Sequence, residues 1–342
     1  MSEITTSITR RNFIGMSAGL ALATSAAPYA QVAGTTTPFS EPSRAARALI
    51  RDALDIHIHL DPDSFGPHSR QAARALDVVE MARRAKSAGM RGFVVKQHYD
   101  QTAQLAYLAR KAVPDVEVFG MLCCNFSVGG LNPEAVQHFG ELKGGYGRIV
   151  SMPTWDAENY VRQSKSPDRA AVIVARDGLL LPETIELIET TARAPIRDSS
   201  ANLALATGHV SAEEALLIIR EAKRQGIERI VATHAMGRPI NMSVAQMKEA
   251  ADLGAYIEFV ANFVIGARAS FTVQQYYDAI REIGPARVIL SSDSGQANHP
   301  FPDDLLAQAA HVLHEAGLSR AELRAMLVDN PATLLSLPAV AS

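Results

Sequence analysis

Cysteine is nearly absent. Of 342 residues only Cys123 and Cys124 carry thiols, and two adjacent cysteines cannot build the spaced framework that staples small secreted domains. They read as buried packing residues inside an apolar run. An excess of positive charge is missing too: 33 Lys and Arg stand against 36 Asp and Glu, mixed along the chain, for a formal net charge of -3. Such a chain presents no basic face for phosphate contacts, so nucleic acid is excluded as a partner. No apolar run reaches the ~20 residues needed to cross a bilayer, which argues against stable membrane insertion. No repeats, linkers or charge runs divide the chain beyond about residue 45, and one domain is expected.

What is present begins with an address. Thr9-Arg10-Arg11-Asn12-Phe13-Ile14 places two arginines before a mildly apolar, small-residue stretch from Gly15 to Ala27, followed by Pro28. This resembles a twin-arginine (Tat) export signal. Pro28 makes Ser25-Ala26-Ala27 a poor cleavage site, so cleavage is expected between Ala27 and Gly34, with residues 1-33 as signal and 34-342 as the mature domain. The Tat export machinery is then a partner, and the location is periplasmic or secreted.

From about residue 45 the sequence alternates short β-rich runs with helical segments, the pattern of βα units that close a parallel sheet. Eight strands are expected at Leu54 to His59, Gly92 to Val95, Val116 to Leu122, Arg148 to Met152, Leu203 to Thr207, Arg229 to Thr233, Ala255 to Val260, and Arg287 to Ser291. Eight such units make a (β/α)8 TIM-like barrel, which takes ~250 residues. An open doubly wound sheet is disfavoured because no Gly-rich phosphate turn follows the first strand. Helix signals agree: Ser211-Ala212-Glu213-Glu214 reads as a capping box opening the segment that ends at Gly226, and Lys86-Ser87-Ala88-Gly89 closes the first helix with a C-terminal glycine. One excursion, 155-201, interrupts the repeat after the fourth strand. There Asp177-Gly178 marks a hairpin and Pro182 to Ala192 a helix, an insertion positioned to roof a site.

Alternation along the first strand places Asp55, His57 and His59 on one face and Ile56, Ile58 and Leu60 on the other. Two imidazoles one residue apart on the same face can reach a single ion, and neutral imidazole suits zinc and similar metals. Later strands also end in ligand-type residues: the run from Leu203 ends in His209, that from Ile230 in His234, and that from Val288 in Asp293. In a (β/α)8 barrel those C-terminal strand ends converge on one face. A lone histidine at a strand end is usually structural; an ordered set of four with an aspartate is not.

The order of ligands, HxH on strand one, His on five, His on six and Asp on eight, resembles the amidohydrolase superfamily of metal-dependent hydrolases, over essentially the whole mature chain. Gly317 to Glu322 and Asn330 to Leu335 look like that family's terminal helices. The resemblance implies one or two divalent ions, Zn2+ first with Mn2+ or another metal as the alternative, held by His57, His59, His209, His234 and Asp293. It also implies Asp293 and His234 as the catalytic pair. Two-metal members bring a bridging carboxylated lysine or a glutamate from strand four, where Ile149 to Trp155 offers neither. At the end of strand two, Lys96 and His98 share a face: Lys96 is a candidate carboxylated bridge or a substrate clamp, and His98 a candidate ligand. Arg70, Asn125, Trp155 and Gln296 follow strand ends and are expected to line a substrate site; His68 and His299 lie in loops near the mouth.

The resemblance implies a metal-activated water that attacks a small organic molecule at an amide, lactam, imide, lactone or ester bond. Phosphoester hydrolysis, non-oxidative decarboxylation and a non-catalytic metal- or ligand-binding protein are the alternatives, and a homo-oligomer is compatible with all of them. Tat carries proteins already folded, which suits an enzyme that acquires its metal before export.

Overall fold

A computed structural model of the chain describes residues 37–64 and 73–340. The expected export signal, Arg70 and His68 lie outside the described residues. Eight parallel strands pair in the order β1-β2-β3-β4-β7-β8-β9-β10. They are β1 (Leu54–Ile58), β2 (Gly92–Val95), β3 (Glu117–Cys123), β4 (Gly147–Ser151), β7 (Ala204–Ala206), β8 (Ile230–Ala232), β9 (Tyr256–Val260) and β10 (Val288–Ser291). The remaining two, β5 (Ala175–Arg176) and β6 (Leu179–Leu180), form a separate antiparallel hairpin. The sheet closes between its last and first strands, where the Asp293 amide donates to His57 O at 3.0 Å and the His59 amide to Ser294 O at 2.8 Å. The molecule is therefore a (β/α)8 barrel in one domain, built from the β-rich runs that the sequence alternates with amphipathic helices.

Two cores follow from the closed sheet. Leu54, Ile56, Val94, Phe119, Met121, Ile149, Val231 and Ile289 fill the barrel interior, and Ala332, Leu334 and Leu335 of the closing segment pack against them. The opposite strand faces meet the surrounding helices in a larger apolar shell. Capping boxes at Asp77, Ser211, Ser243, Thr272 and Ser319 start five of those helices by satisfying their orphan amides.

Simple alternation fails at β1. Three residue steps from Asp55 to Ile58 oppose two from Phe93 to Val95, a bulge in the strand. Asp55 pairs with Phe93 of the outer core, whereas Leu54 and Ile56 belong to the inner one. The expectation that Asp55 shares the face of His57 and His59 is corrected by that extra residue. Asp55 instead accepts hydrogen bonds from the amides of His57 (3.0 Å) and Ser292 (3.1 Å), tying the first strand to the last.

The excursion after β4 contains a helix (Glu158–Gln163), the β5-β6 hairpin, and a helix over Pro182–Arg193. Asp177 and Gly178 both take positive φ at the hairpin tip (50° and 76°), as a tight two-residue turn requires. Only its beginning reaches the C-terminal face, through Trp155 and Tyr160. The hairpin packs on the helix Ala212–Arg224.

Candidate metal centre

The strand ends bring their polar side chains to one cleft of about 340 Å3, which includes His57, His59, Lys96, His98, His209, His234 and Asp293 in its lining. All seven are buried. His57, His59 and Asp293 form the tight cluster: each offers one ligand atom, and these atoms lie within 4.8 Å of one another. Asp293 Oδ1 is 3.2 Å from His57 Nε2 and 3.1 Å from His59 Nε2.

The protonation pattern shows what the cluster is made for. His57 Nδ1 lies 3.0 Å from Glu258 Oε1, so a neutral His57 carries its proton on Nδ1 and turns the Nε2 lone pair toward Asp293. Two imidazole nitrogens and a carboxylate oxygen then converge on one point. This donor set fits a divalent ion. Burial, the largest cause, pushes His59 down to about 3 and His234 down to about 4, and holds His98 and His209 well below the ordinary imidazole value. Burial also works to raise Asp293, but His57 and His59 outweigh it and leave the carboxyl well below its usual range. His59, His98, His209 and His234 are thus held neutral near an ionised carboxylate.

The second pair of histidines sits alongside. His209 Nε2 and His234 Nε2 are 3.1 Å apart, and Nδ1 of each is buried without a hydrogen-bond partner. His234 stacks on His57 with ring centroids 5.8 Å apart. Lys96 Nζ is buried and also lacks a hydrogen-bond partner among the described residues. His98 donates or accepts at Nδ1 with Thr154 Oγ1 (2.9 Å) and stacks on Trp155 at 4.1 Å, 5.2 Å from the ring of His59. The structure thus gathers all the sequence-derived metal candidates in one cleft, with His57, His59 and Asp293 closest together.

Backbone geometry fixes them. His234 and Asp293 both adopt positive φ, 23° and 48°, at the point where their strands turn into loops. Asn262 Nδ2 (2.8 Å) and Gln296 Nε2 (3.3 Å) donate to Asp293 O, and the His234 amide donates to Glu258 Oε2 (2.8 Å). Gly295, at φ 117°, lies against β1; a Cβ there would stand 1.8 Å from His59 O.

Of the residues expected to line a substrate site, Trp155 and Gln296 do so. Asn125 does not. It is fully buried beneath the cleft, where Nδ2 donates to His98 O (2.5 Å) and Thr154 Oγ1 (2.7 Å) and Oδ1 accepts from the amides of Thr154 (2.9 Å) and Asp156 (3.1 Å). All its polar capacity holds the loops that carry His98 and Trp155. The sequence reading missed Glu258, whose signal was a lone carboxylate within the apolar run Tyr256-Ile257-Glu258-Phe259-Val260. It also missed Tyr160, Arg238, Phe263, Arg268 and Ser270, which complete the lining.

The fold and the His57, His59 and Asp293 cluster define the class: a (β/α)8 barrel with a candidate metal centre at the C-terminal ends of its strands. Solved structures share the fold at low identity. An amidohydrolase from Pseudomonas aeruginosa is 13% identical with a TM-score of 0.55, covering 85% of this chain and 98% of that one. An amidohydrolase from Burkholderia multivorans with bound zinc is 14% identical with a TM-score of 0.55, covering 84% and 99%. A lactonase from Listeria monocytogenes is 15% identical with a TM-score of 0.52, covering 85% and 96%. No protein of curated function matches the chain in sequence. Within the class, residues 52–258 match the model of a family of unknown function (DUF6282), and the chain belongs to that family. Among the described residues no helix is long and apolar enough to cross a membrane.

Proposed function

We propose that this protein is a zinc-dependent hydrolase acting at a carbonyl-centred C–N or C–O bond of a small organic molecule. The observation that carries the proposal is the convergence of His57 Nε2, His59 Nε2 and Asp293 Oδ1 in a buried cleft, with Glu258 fixing the tautomer of His57. A divalent ion held there supplies Lewis acidity and brings the pKa of water to ~7. The protein's own groups do the rest. Asp293, ionised and facing the cleft, takes a proton from the attacking water at a carboxylate oxygen and returns it to the leaving group. His234, neutral and paired with His209, polarises the substrate carbonyl oxygen or carries the second half of the ligand set. The aromatic side chains of Trp155 and Phe263 exclude bulk water from the reacting centre.

The Lys96 ammonium, buried beside histidines with no hydrogen-bond partner among the described residues, is poorly placed as a bare charge. Addition of carbon dioxide to the neutral amine, with loss of a proton, makes it an anionic carbamate with two ligand oxygens. A second ion would then be held by that carbamate with His209 and His234. Solved structures of this fold include a lactonase and a β-aspartyl dipeptidase, which supports lactones and amides as first substrates to try. Export through the Tat route rests on Arg10 and Arg11, and replacing both by lysine should leave the protein in the cytoplasmic fraction.

The test measures metal per chain and hydrolysis of a panel of lactones, esters and amides by zinc-loaded protein. The His57→Ala, His59→Ala double variant serves as control. Turnover in the native protein that the double variant lacks is the expected result. Stoichiometric zinc with no turnover anywhere on the panel, or equal turnover by both proteins, would sink the reading.

A further inference from the structure

The cleft carries an imbalance of charge that the metal ligands do not explain. Among its described lining residues are two guanidinium side chains, Arg238 and Arg268, and a single carboxylate, Asp293, already committed to His57 and His59. Arg238 and Arg268 are exposed at the rim. Neither makes an ion pair with a described carboxylate; the polar contact of Arg238 is with Gln163 Oε1 at 3.5 Å. The field of Arg268 nevertheless reaches inward, to Asp293, Tyr160 and His299. A bound divalent ion makes the cleft more cationic still.

Its walls are aromatic and flat. Trp155 lies on His98 with an interplanar angle of 16°, and Tyr160 lies parallel to Trp155 at 13° with centroids 6.3 Å apart. Phe263 meets His234 edge-on at 5.7 Å. Planar surfaces beside two arginines at the mouth suit a planar anion, because a guanidinium fork pairs two donors with two carboxylate oxygens.

We infer that the substrate is a planar, aromatic carboxylate, its anionic group held at the rim by Arg268 with Arg238 and its ring laid against the half-buried Tyr160 beside Trp155. The hydrolysable carbonyl then points to the histidine cluster. This rests on the hydrolase reading for the last step only; the anion subsite stands on the arginines and aromatic walls.

The experiment exploits the single tryptophan of the chain, Trp155, as a fluorescence reporter inside the cleft. Benzoate, benzamide and phenyl phosphate are titrated into zinc-loaded protein and into chelated protein. Benzoate is expected to quench Trp155 saturably in both forms. Benzamide binds at least about tenfold more weakly, the ratio for one charge-assisted hydrogen bond lost. Arg268→Met weakens benzoate by about the same factor and leaves benzamide unchanged. Added salt weakens benzoate alone. Equal binding of benzoate and benzamide, benzoate binding that survives Arg268→Met, or binding that vanishes on chelation would overturn the subsite. Phenyl phosphate binding tenfold tighter than benzoate would reassign it from carboxylates to phosphates. A zinc-loaded protein that hydrolyses nothing but keeps Arg268-dependent benzoate binding would defeat the hydrolase reading and leave the subsite intact.

Discussion

Glu258 Oε1 sits 3.0 Å from His57 Nδ1 and 2.7 Å from Ser291 Oγ, while its other oxygen accepts the amide of His234 at 2.8 Å. One carboxylate on β9 therefore orients a histidine on β1 and anchors the backbone of another after β8. Burial works to raise it, yet His57 and His234 prevail and bring it down to about 2, so it is ionised throughout the physiological range.

Glu258→Gln keeps the shape but weakens the bond to Nδ1 and loses the charge. Such a partner is typically worth about 10–100-fold in metal affinity. Zinc affinity measured by chelator competition is expected to fall by that factor with the fold intact by circular dichroism. Unchanged affinity would show that the tautomer of His57 is set elsewhere.

Asp293→Asn tests the proposed proton carrier. The amide still reaches His57 and His59 but cannot accept the proton of water, so kcat should drop by about 10²–10⁴ while zinc remains measurable, though weaker. A variant retaining full turnover with zinc bound would remove Asp293 from the chemistry.

The difference between Glu258 and the candidate metal ligands is also the difference between what a linear reading finds and what it does not. The eight strands were visible because β-rich runs alternate with capped helices at βα spacing, and His57, His59, His209, His234 and Asp293 stood out because each ends such a run. Glu258 lies in mid-strand, where local pattern says only that a buried charge needs a partner. Asp55 was placed on the wrong face because a bulge leaves no trace in composition. Arg238 and Arg268 follow β8 and β9 in ordinary-looking loops; only closure of the barrel carries them to the rim above Asp293. Asn125 illustrates the converse, a residue in the right loop whose amide turns inward to hold backbone.

That inward turn predicts a stability effect. Asn125→Leu fills a similar volume but leaves the amides of Thr154 and Asp156 and the carbonyl of His98 without their partner in a buried site. At about 1–3 kcal/mol for each unsatisfied group, a loss of at least ~2 kcal/mol is expected in chemical denaturation. A change under half a kcal/mol would mean the loops are held by something else.

Gly295→Ala probes the closure of the barrel. At φ 117° an alanine is strained whatever the space, and its Cβ would collide with His59 O. The loop carrying Asp293 and Gln296 must move away from β1, so zinc affinity should fall more than global stability. Restored affinity in Gly295→Ala at wild-type level would contradict the close approach.

Acid sensitivity of the metal-free protein follows from the imidazoles. An unfolded histidine titrates at ~6.5, whereas burial holds His59 near about 3, His234 near about 4, and His98 and His209 well below the ordinary value. Between those limits the unfolded chain binds more protons than the folded one, so stability is lost as pH falls from ~6.5 through the folded values. Asp55 acts in the opposite sense: burial, against hydrogen bonds from Ser292 and His57, lifts it to about 7, so its contribution is lost as pH rises through about 7. It is one carboxyl against four imidazoles, and the net slope keeps the sign of the histidines. Glu258 and Asp293, both lowered, add a further loss below the unfolded carboxylate values near ~4. Thermal midpoints of chelated protein should therefore be nearly flat above pH ~7, decline below ~6.5 and decline more steeply below ~4. Zinc-loaded protein should start higher and fall faster, because protons then compete with the ion for the same nitrogens. His59→Asn removes one of the buried imidazoles and should flatten the first decline; chelated protein equally stable at pH 5 and pH 7 would show that these histidines titrate normally in the folded state.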